Sequence, residues 1–318
     1  VQELEQKAEQ GDESAQFALG SWYAEGRYVK PDYKLAIKWL EKAGKQGSDF
    51  SYFILGYHYN YGENFPLSRQ KALEWYRKAA ELGDSSTQEI LGDAYMYGDG
   101  FPQNTQLALE WYRRAAAQGL AEAQDAIGVM FMQGEGVSQD YQQALAWYRK
   151  AARQGLPAAQ THLGIMSAFG RGVAQSDRQA IAWYRKAAKQ DFAKAQYQLG
   201  VAYSTGRGVP ENSRNALKWY LKAAEQGFTP AQLALGEIYA HGRQGVPKDN
   251  KQAYIWYYMA SIYTEKSKDD CSALIAERNR LKGTLTPDQL SETYAAFDLI
   301  RRKINQSKEA KKIARKKY

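Results

Sequence analysis

Apolar residues in the middle of the chain line one face of a helix, then one face of a second helix. Ala123, Ile127 and Phe131 stand at i, i+4 and i+8, a spacing that stacks side chains on one helical face. After Gly134-Glu135-Gly136-Val137 a second stripe follows, with Ala144, Trp147 and Ala151. Polar residues fill the positions between. The pattern predicts a helix A over residues 121–131 and a helix B over residues 141–152, packed stripe to stripe. Gly134 should end helix A in the left-handed conformation that other residues resist, and Gly119 should end the preceding helix B in the same way.

The two-helix pattern recurs. Gly20, Gly56, Gly92, Gly128, Gly164, Gly200 and Gly236 are each 36 residues apart. Trp39, Trp75, Trp111, Trp147, Trp183 and Trp219 keep the same period. Trp256 falls one residue late, after an extra residue in the Gly242-Arg243-Gln244-Gly245 turn. A glycine inside a helix costs about 1 kcal/mol against alanine. Seven at one phase therefore imply a steric need, and helix B must come close there. One pair cannot bury its faces alone, whereas a stack of pairs can.

The motif A-x-A-Q-x-x-L-G-x-x-Y-x-x-G-x-G-V, followed by A-x-x-W-Y-x-x-A-A-x-x-G, resembles the Sel1-like repeat, a relative of the tetratricopeptide repeat. Residues 193–209, from Ala193-Lys194-Ala195-Gln196 through Leu199-Gly200 to Gly206-Arg207-Gly208-Val209, match it closely. The resemblance covers residues 1–264. It implies an all-α, right-handed α-solenoid of seven 36-residue helix-turn-helix repeats with a C-terminal helical cap. Residues 265–283 read as one more helix, and Thr286-Pro287-Asp288-Gln289 starts another with a capping box. Leu290, Tyr294, Phe297, Ile300 and Ile304 form the stripe of that last helix. Residues 265–307 are thus expected to close the open end of the stack, and residues 308–318 form a basic tail expected to fray.

In related arrays helix A lines the concave side. Opposite the core stripe, its groove positions lie at −6, −3, +1, +4 and +5 from the repeating glycine. The second repeat places Phe50, Phe53, Tyr57, Asn60 and Tyr61 there, the third Ser86, Glu89, Asp93, Met96 and Tyr97, and the fourth Glu122, Asp125, Val129, Met132 and Gln133. The second repeat departs most from the motif, with Ser51-Tyr52 for Ala-Gln and Asn64-Phe65-Pro66 for the Gly-Val turn. Aromatic rings bury much area at little entropic cost. The expected partner-binding set is therefore Phe50, Phe53, Tyr57, Tyr61, Tyr97, Val129 and Met132, with Glu89, Asp93 and Asp125 steering a positively charged segment. The bland alternatives are ring packing at an N-terminal repeat and a solvated acidic face.

The net charge of +8 resides in the tail. Residues 301–318 hold nine Lys/Arg and one acid, which leaves a neutral body and argues against nucleic-acid binding by it. The tail reads as a solubilising end, as a contact to anionic lipid head groups, or as a contact to nucleic acid, for which no aromatic interleaving offers base stacking. The mean hydropathy is −0.66, and no apolar run is long enough to span a membrane. The chain starts at Val1 without an initiator Met, so a removed or omitted N-terminal segment is expected. Cys271 is the sole cysteine, and His58, His162 and His241 lie in separate repeats. No metal site, cofactor or catalytic motif is expected. A β-lactam-processing branch of the family carries a cysteine pair per repeat, which this chain lacks. The resemblance to Sel1-like proteins implies a non-catalytic scaffold of a bacterial cell envelope or periplasm that holds a protein partner in its groove. One form of it is an inhibitor or immunity protein for a secreted, phospholipase-like type VI effector. The alternatives are an envelope regulator, an exopolysaccharide-assembly scaffold, or a glycan-binding module using Phe53, Tyr57 and Tyr61.

Overall fold

The computed structural model describes residues 1–62, 64–243, 245–264 and 272–316, with the side chains of 263, 264, 308 and 310–316 left aside. Cys271 lies outside the described residues. The chain divides into two compact units, Val1–Gln154 and Gly155–Tyr318.

Unit 1 opens with α1 (Gln2–Glu9), a helix beyond the fourteen that the repeat count predicts. Four pairs follow: α2 (Glu13–Glu25) with α3 (Tyr33–Lys45), α4 (Asp49–Tyr61) with α5 (Arg69–Leu82), α6 (Ser85–Tyr97) with α7 (Thr105–Ala117), and α8 (Ala121–Gln133) with α9 (Tyr141–Arg153). Unit 2 continues with α10 (Pro157–Phe169) and α11 (Asp177–Ala188), α12 (Ala193–Thr205) and α13 (Ser213–Ala224), and α14 (Thr229–His241) and α15 (Asn250–Thr264). It ends with α16 (Ser272–Lys282) and α17 (Pro287–Lys316). The even-numbered helices α2 to α14 are the A helices of an α-solenoid, and their odd-numbered partners are the B helices. Each B helix of the first six repeats starts at a side-chain cap, Asp32, Ser68, Asn104, Asp140, Ser176 and Asn212, again 36 residues apart. These side chains satisfy amide groups that the first turn would leave unpaired.

The repeating glycines mark the crossing of A and B. A Cβ added to Gly128 would stand 2.6 Å from the ring of Tyr148, and Gly236 meets Tyr257 at the same distance. Tyr112 and Tyr148 are fully buried at these crossings. In the second to seventh repeats the residue that answers the glycine is thus the tyrosine after the tryptophan, with Leu40 in its place opposite Gly20, whereas Trp147 is only half-buried. The tryptophan lies one position round the helix, where a cation three residues later covers it. Lys150 stands 3.9 Å from the Trp147 centroid, Lys78 4.0 Å from Trp75, and Arg114 4.4 Å from Trp111.

Glutamines tie successive layers together. Gln88, buried on α6, donates to the Ala80 carbonyl at 3.0 Å and accepts from Gln118 at 2.9 Å. Gln118, at the end of α7, also donates to the Gly83 carbonyl at 2.8 Å. The same bridge joins Gln154 to Gln124 and Gly119, Gln46 to Gln16 and Gly11, and, in unit 2, Gln190 to Gln160 and Gly155. Buried amides that exchange hydrogen bonds in this way fix the stacking register, because a shifted layer would leave them unsatisfied.

The end of unit 2 is covered by α16 and α17. The capping box at Thr286 forms: Gln289 N donates to the Thr286 hydroxyl at 3.3 Å, and Thr286 N donates to Gln289 Oε1 at 3.0 Å. Phe297 and Ile304 are buried, and Phe297 stacks on Tyr258 at 4.1 Å. Tyr294 is exposed, and Thr293 takes the buried place expected for it, its hydroxyl donating to the Leu290 carbonyl at 2.7 Å. The helix does not stop at Lys308: its backbone stays helical to Lys316.

Candidate protein-binding surface

The A-helix face of unit 1 carries the densest set of exposed rings. Helix α2 packs directly on α4, which brings the −3 and −6 positions of neighbouring repeats together. Phe17 lies 5.7 Å from Phe50, Phe50 stacks on Phe53 at 5.7 Å with planes 8° apart, and Phe53 meets Tyr76 at 5.8 Å. One turn further along α4, Tyr57 and Tyr61 are 4.6 Å apart. Phe50 and Tyr61 are exposed, Phe53 and Tyr57 half-buried. Phe50, Phe53, Tyr57 and Tyr61 stand off the −5, −4, −1, 0, +2 and +3 positions of α4, which are the ones buried in the stack.

The adjoining A–B loop edge extends this surface. Tyr97, at the same +5 position as Tyr61, is 74 % exposed, and Leu67 is 73 % exposed. Arg69 holds the edge in place, donating to Asn60 Oδ1 at 2.9 Å and pairing with Asp99 at 2.8 Å. Phe17, Leu67 and Arg69 were not among the expected site residues. Phe17 has a legible signal, since it occupies the −3 position of the first repeat. Nothing local marks Arg69, whose partner lies thirty residues away.

The acidic positions separate into two kinds. Glu122 is exposed and Glu89 half-exposed. Asp93 instead points inward, accepting from the Tyr112 hydroxyl at 2.6 Å. Burial raises its carboxyl above the ordinary value, partly offset by that hydrogen bond and by Arg69. Burial, and then the bond to Asp93, pushes the Tyr112 phenol far up in turn. Asp125 is 9 % exposed. Of the two acids expected beside Glu89 to steer a partner, Asp93 is thus half-buried on the Tyr112 hydroxyl and Asp125 is buried. Met96 is buried as well. Val129 and Met132 are half-buried, and Met132 accepts from the Tyr148 hydroxyl at 3.6 Å.

Among the described residues no group of three or more His, Cys, Asp or Glu could hold a metal ion, and no helix is long and apolar enough to cross a membrane. His58 stacks on Phe65 at 5.0 Å inside the second repeat.

The Sel1 repeat family matches residues 13–48, 50–84, 85–120, 121–156, 157–192, 193–228 and 229–261. The chain therefore belongs to the Sel1 repeat family. Among solved structures it is similar to a Sel1 repeat protein from Oxalobacter formigenes, at 35% identity and a TM-score of 0.74, over 89% of this chain and 79% of that one. It is also similar to a protective antigen of uropathogenic Escherichia coli with the SLR fold, at 32% identity and a TM-score of 0.67 over 95% of this chain. The chain spans 63% of that antigen's length. An immunity protein from Pseudomonas aeruginosa matches at 19% identity and a TM-score of 0.48, too distant to inform function. No match was found among curated proteins.

Proposed function

We propose that this chain is a non-catalytic interaction scaffold of a bacterial cell envelope that holds one protein partner on the A-helix face of its second to fourth repeats. The observation behind it is the run of exposed and half-exposed rings Phe50, Phe53, Tyr57, Tyr61 and Tyr97 on consecutive A helices, a surface that stacking does not require. Clustered aromatic anchors with a polar surround are what dominate affinity at protein interfaces. In this reading Glu89 and Glu122 supply the charge that faces the partner, Val129 and Met132 extend the apolar floor, and Asp93 and Asp125 shape the floor from beneath. The A helices of unit 1 contain no Lys or Arg, which favours a partner segment that is both apolar and cationic. A dedicated inhibitory role, such as neutralising a secreted effector, suits a surface specialised in one repeat.

The test starts with a photo-crosslinking residue at Tyr61, which identifies the partner in cells. The affinity of that partner is then measured by calorimetry for wild type and for Tyr57→Ala/Tyr61→Ala. The double variant should bind about thirtyfold more weakly, corresponding to about 2 kcal/mol, with its melting temperature nearly unchanged. Undiminished binding by the folded variant would move the site elsewhere. Quenching of aromatic fluorescence by oligosaccharides, with no protein crosslinked, would favour the glycan reading.

A further inference from the structure

The two helix types of unit 1 differ in charge as well as position. Helices α2, α4, α6 and α8 hold seven acids and no Lys or Arg, whereas α3, α5, α7 and α9 hold thirteen Lys/Arg against four acids. On α3 and α5 much of this charge is answered locally. Glu41 takes Lys45 at 3.5 Å and Lys78 at 3.7 Å, Glu81 takes Arg77 at 3.0 Å, and Asp99 takes Arg69 at 2.8 Å. On α7 and α9 it is not. Arg113, Arg114, Arg149, Lys150 and Arg153 are all exposed, and Glu110 is the one acid on the two helices. Among the described residues none of these five cations forms an ion pair, and the ion pairs of the unit lie on other helices.

We propose that this face of α7 and α9 docks on an anionic lipid surface, leaving the aromatic A-helix face turned to a protein partner. Three features select the occupant. None of the large exposed apolar side chains lies on α7 or α9, so the face lacks the anchor that a shaped protein partner needs. The rings beneath the cations are not free to stack bases, since Trp111 is buried under Arg114 and Trp147 is covered by Lys150. What is left is a set of cations held over a rigid surface, two of them fixed by their tryptophans. That arrangement matches a dense, laterally mobile layer of anionic head groups, where each basic residue near the surface contributes independently. The proposal does not depend on the partner site, which is carried by other helices.

Sedimentation of the full-length chain with vesicles of phosphatidylglycerol and phosphatidylcholine, and with phosphatidylcholine alone, tests it. Binding should require phosphatidylglycerol and disappear at high salt. Arg149→Glu/Lys150→Glu/Arg153→Glu should weaken it by about a hundredfold, on the basis of about 1 kcal/mol for each cation. The reversal should lower binding equally when Lys311→Glu/Lys312→Glu/Lys316→Glu has removed tail charge. Where the reversal lowers the melting temperature, Arg149→Gln/Lys150→Gln/Arg153→Gln replaces it, with a smaller expected loss in the same direction. No binding of wild type to anionic vesicles, unchanged binding by the reversal variant, or tighter binding to duplex DNA or polyglutamate at equal salt would each overturn the proposal.

Discussion

The second and fourth repeats share a backbone and differ in how they are tied to their neighbours. In the fourth, buried Gln124 receives Gln154 at 3.0 Å, and Ala152 ends the buried run of helix B. In the second, Tyr52 stands in place of the buried glutamine and Leu82 in place of its partner, and Gly44, on α3 of the preceding repeat, stands in place of the alanine eight residues before it. The three changes form one unit. A Cβ on Gly44 would stand 2.5 Å from the Tyr52 ring, so the ring enters the layer only because the methyl group is missing. Tyr52 then stacks on Trp75 at 5.7 Å, with Lys78 over both rings. Leu82, with no amide left to answer, is exposed. Hydrogen bonding can thus be exchanged for ring packing at one layer without disturbing the stack, provided the volume is balanced.

The largest effect that would break this comparison is steric. Gly44→Ala should cost about 1–3 kcal/mol by displacing the Tyr52 ring, measured by urea unfolding. The same alanine should be accommodated in Gly44→Ala/Tyr52→Gln/Leu82→Gln, which rebuilds the bridge of the other repeats. A Gly44→Ala variant as stable as wild type would mean that Tyr52 is not held as the packing implies. Gly128→Leu is the counterpart in the fourth repeat, and overpacking on Tyr148 should cost about 1–3 kcal/mol there as well.

Hydrogen bonding should have a smaller effect. Gln124→Leu leaves the Ala116 carbonyl and Gln154 without their partner and should cost about 1–2 kcal/mol, visible as a lower midpoint in the same experiment. Leu82→Gln alone should change stability by less than about 0.5 kcal/mol, because Tyr52 offers no amide to meet it. A loss as large as that of Gln124→Leu would show that Leu82 has a packing role.

The smallest effect concerns the third repeat, where burial raises the Asp93 carboxyl. A carboxyl with a raised folded-state pKa binds its proton more readily in the folded chain than in the unfolded one. Its contribution to stability therefore falls as pH rises from the ordinary carboxylate value, about 3.9, through the raised folded value. Asp93→Asn keeps an acceptor for Tyr112 and removes that titration. Thermal melts should show the variant gaining on wild type as pH rises above about 4. A wild-type advantage that grows with pH would reverse the sign and implicate the Arg69 contact instead.

The helix pairs, their 36-residue period and the place where each pair must approach most closely follow from the order of residues along the chain. These are local matters. Helical spacing, turn glycines and caps such as Asp140 act within a few residues, and a glycine repeated at one phase announces contact without naming its partner. Phe50, Tyr61 and Tyr97 could likewise be placed outside the stacking positions by counting from that glycine. Packing in three dimensions selects the ring that fills the crossing at Gly128, because Trp147 and Tyr148 are adjacent and differ by a single helical step. It also sets Asp93 against the Tyr112 hydroxyl, nineteen residues away, and buries Asp125, neither of which local spacing announces. The link between Gly44, Tyr52 and Leu82 belongs to the tertiary structure too. Those residues are separated along the chain, and only the contact of a ring with a missing methyl group makes one substitution require the others.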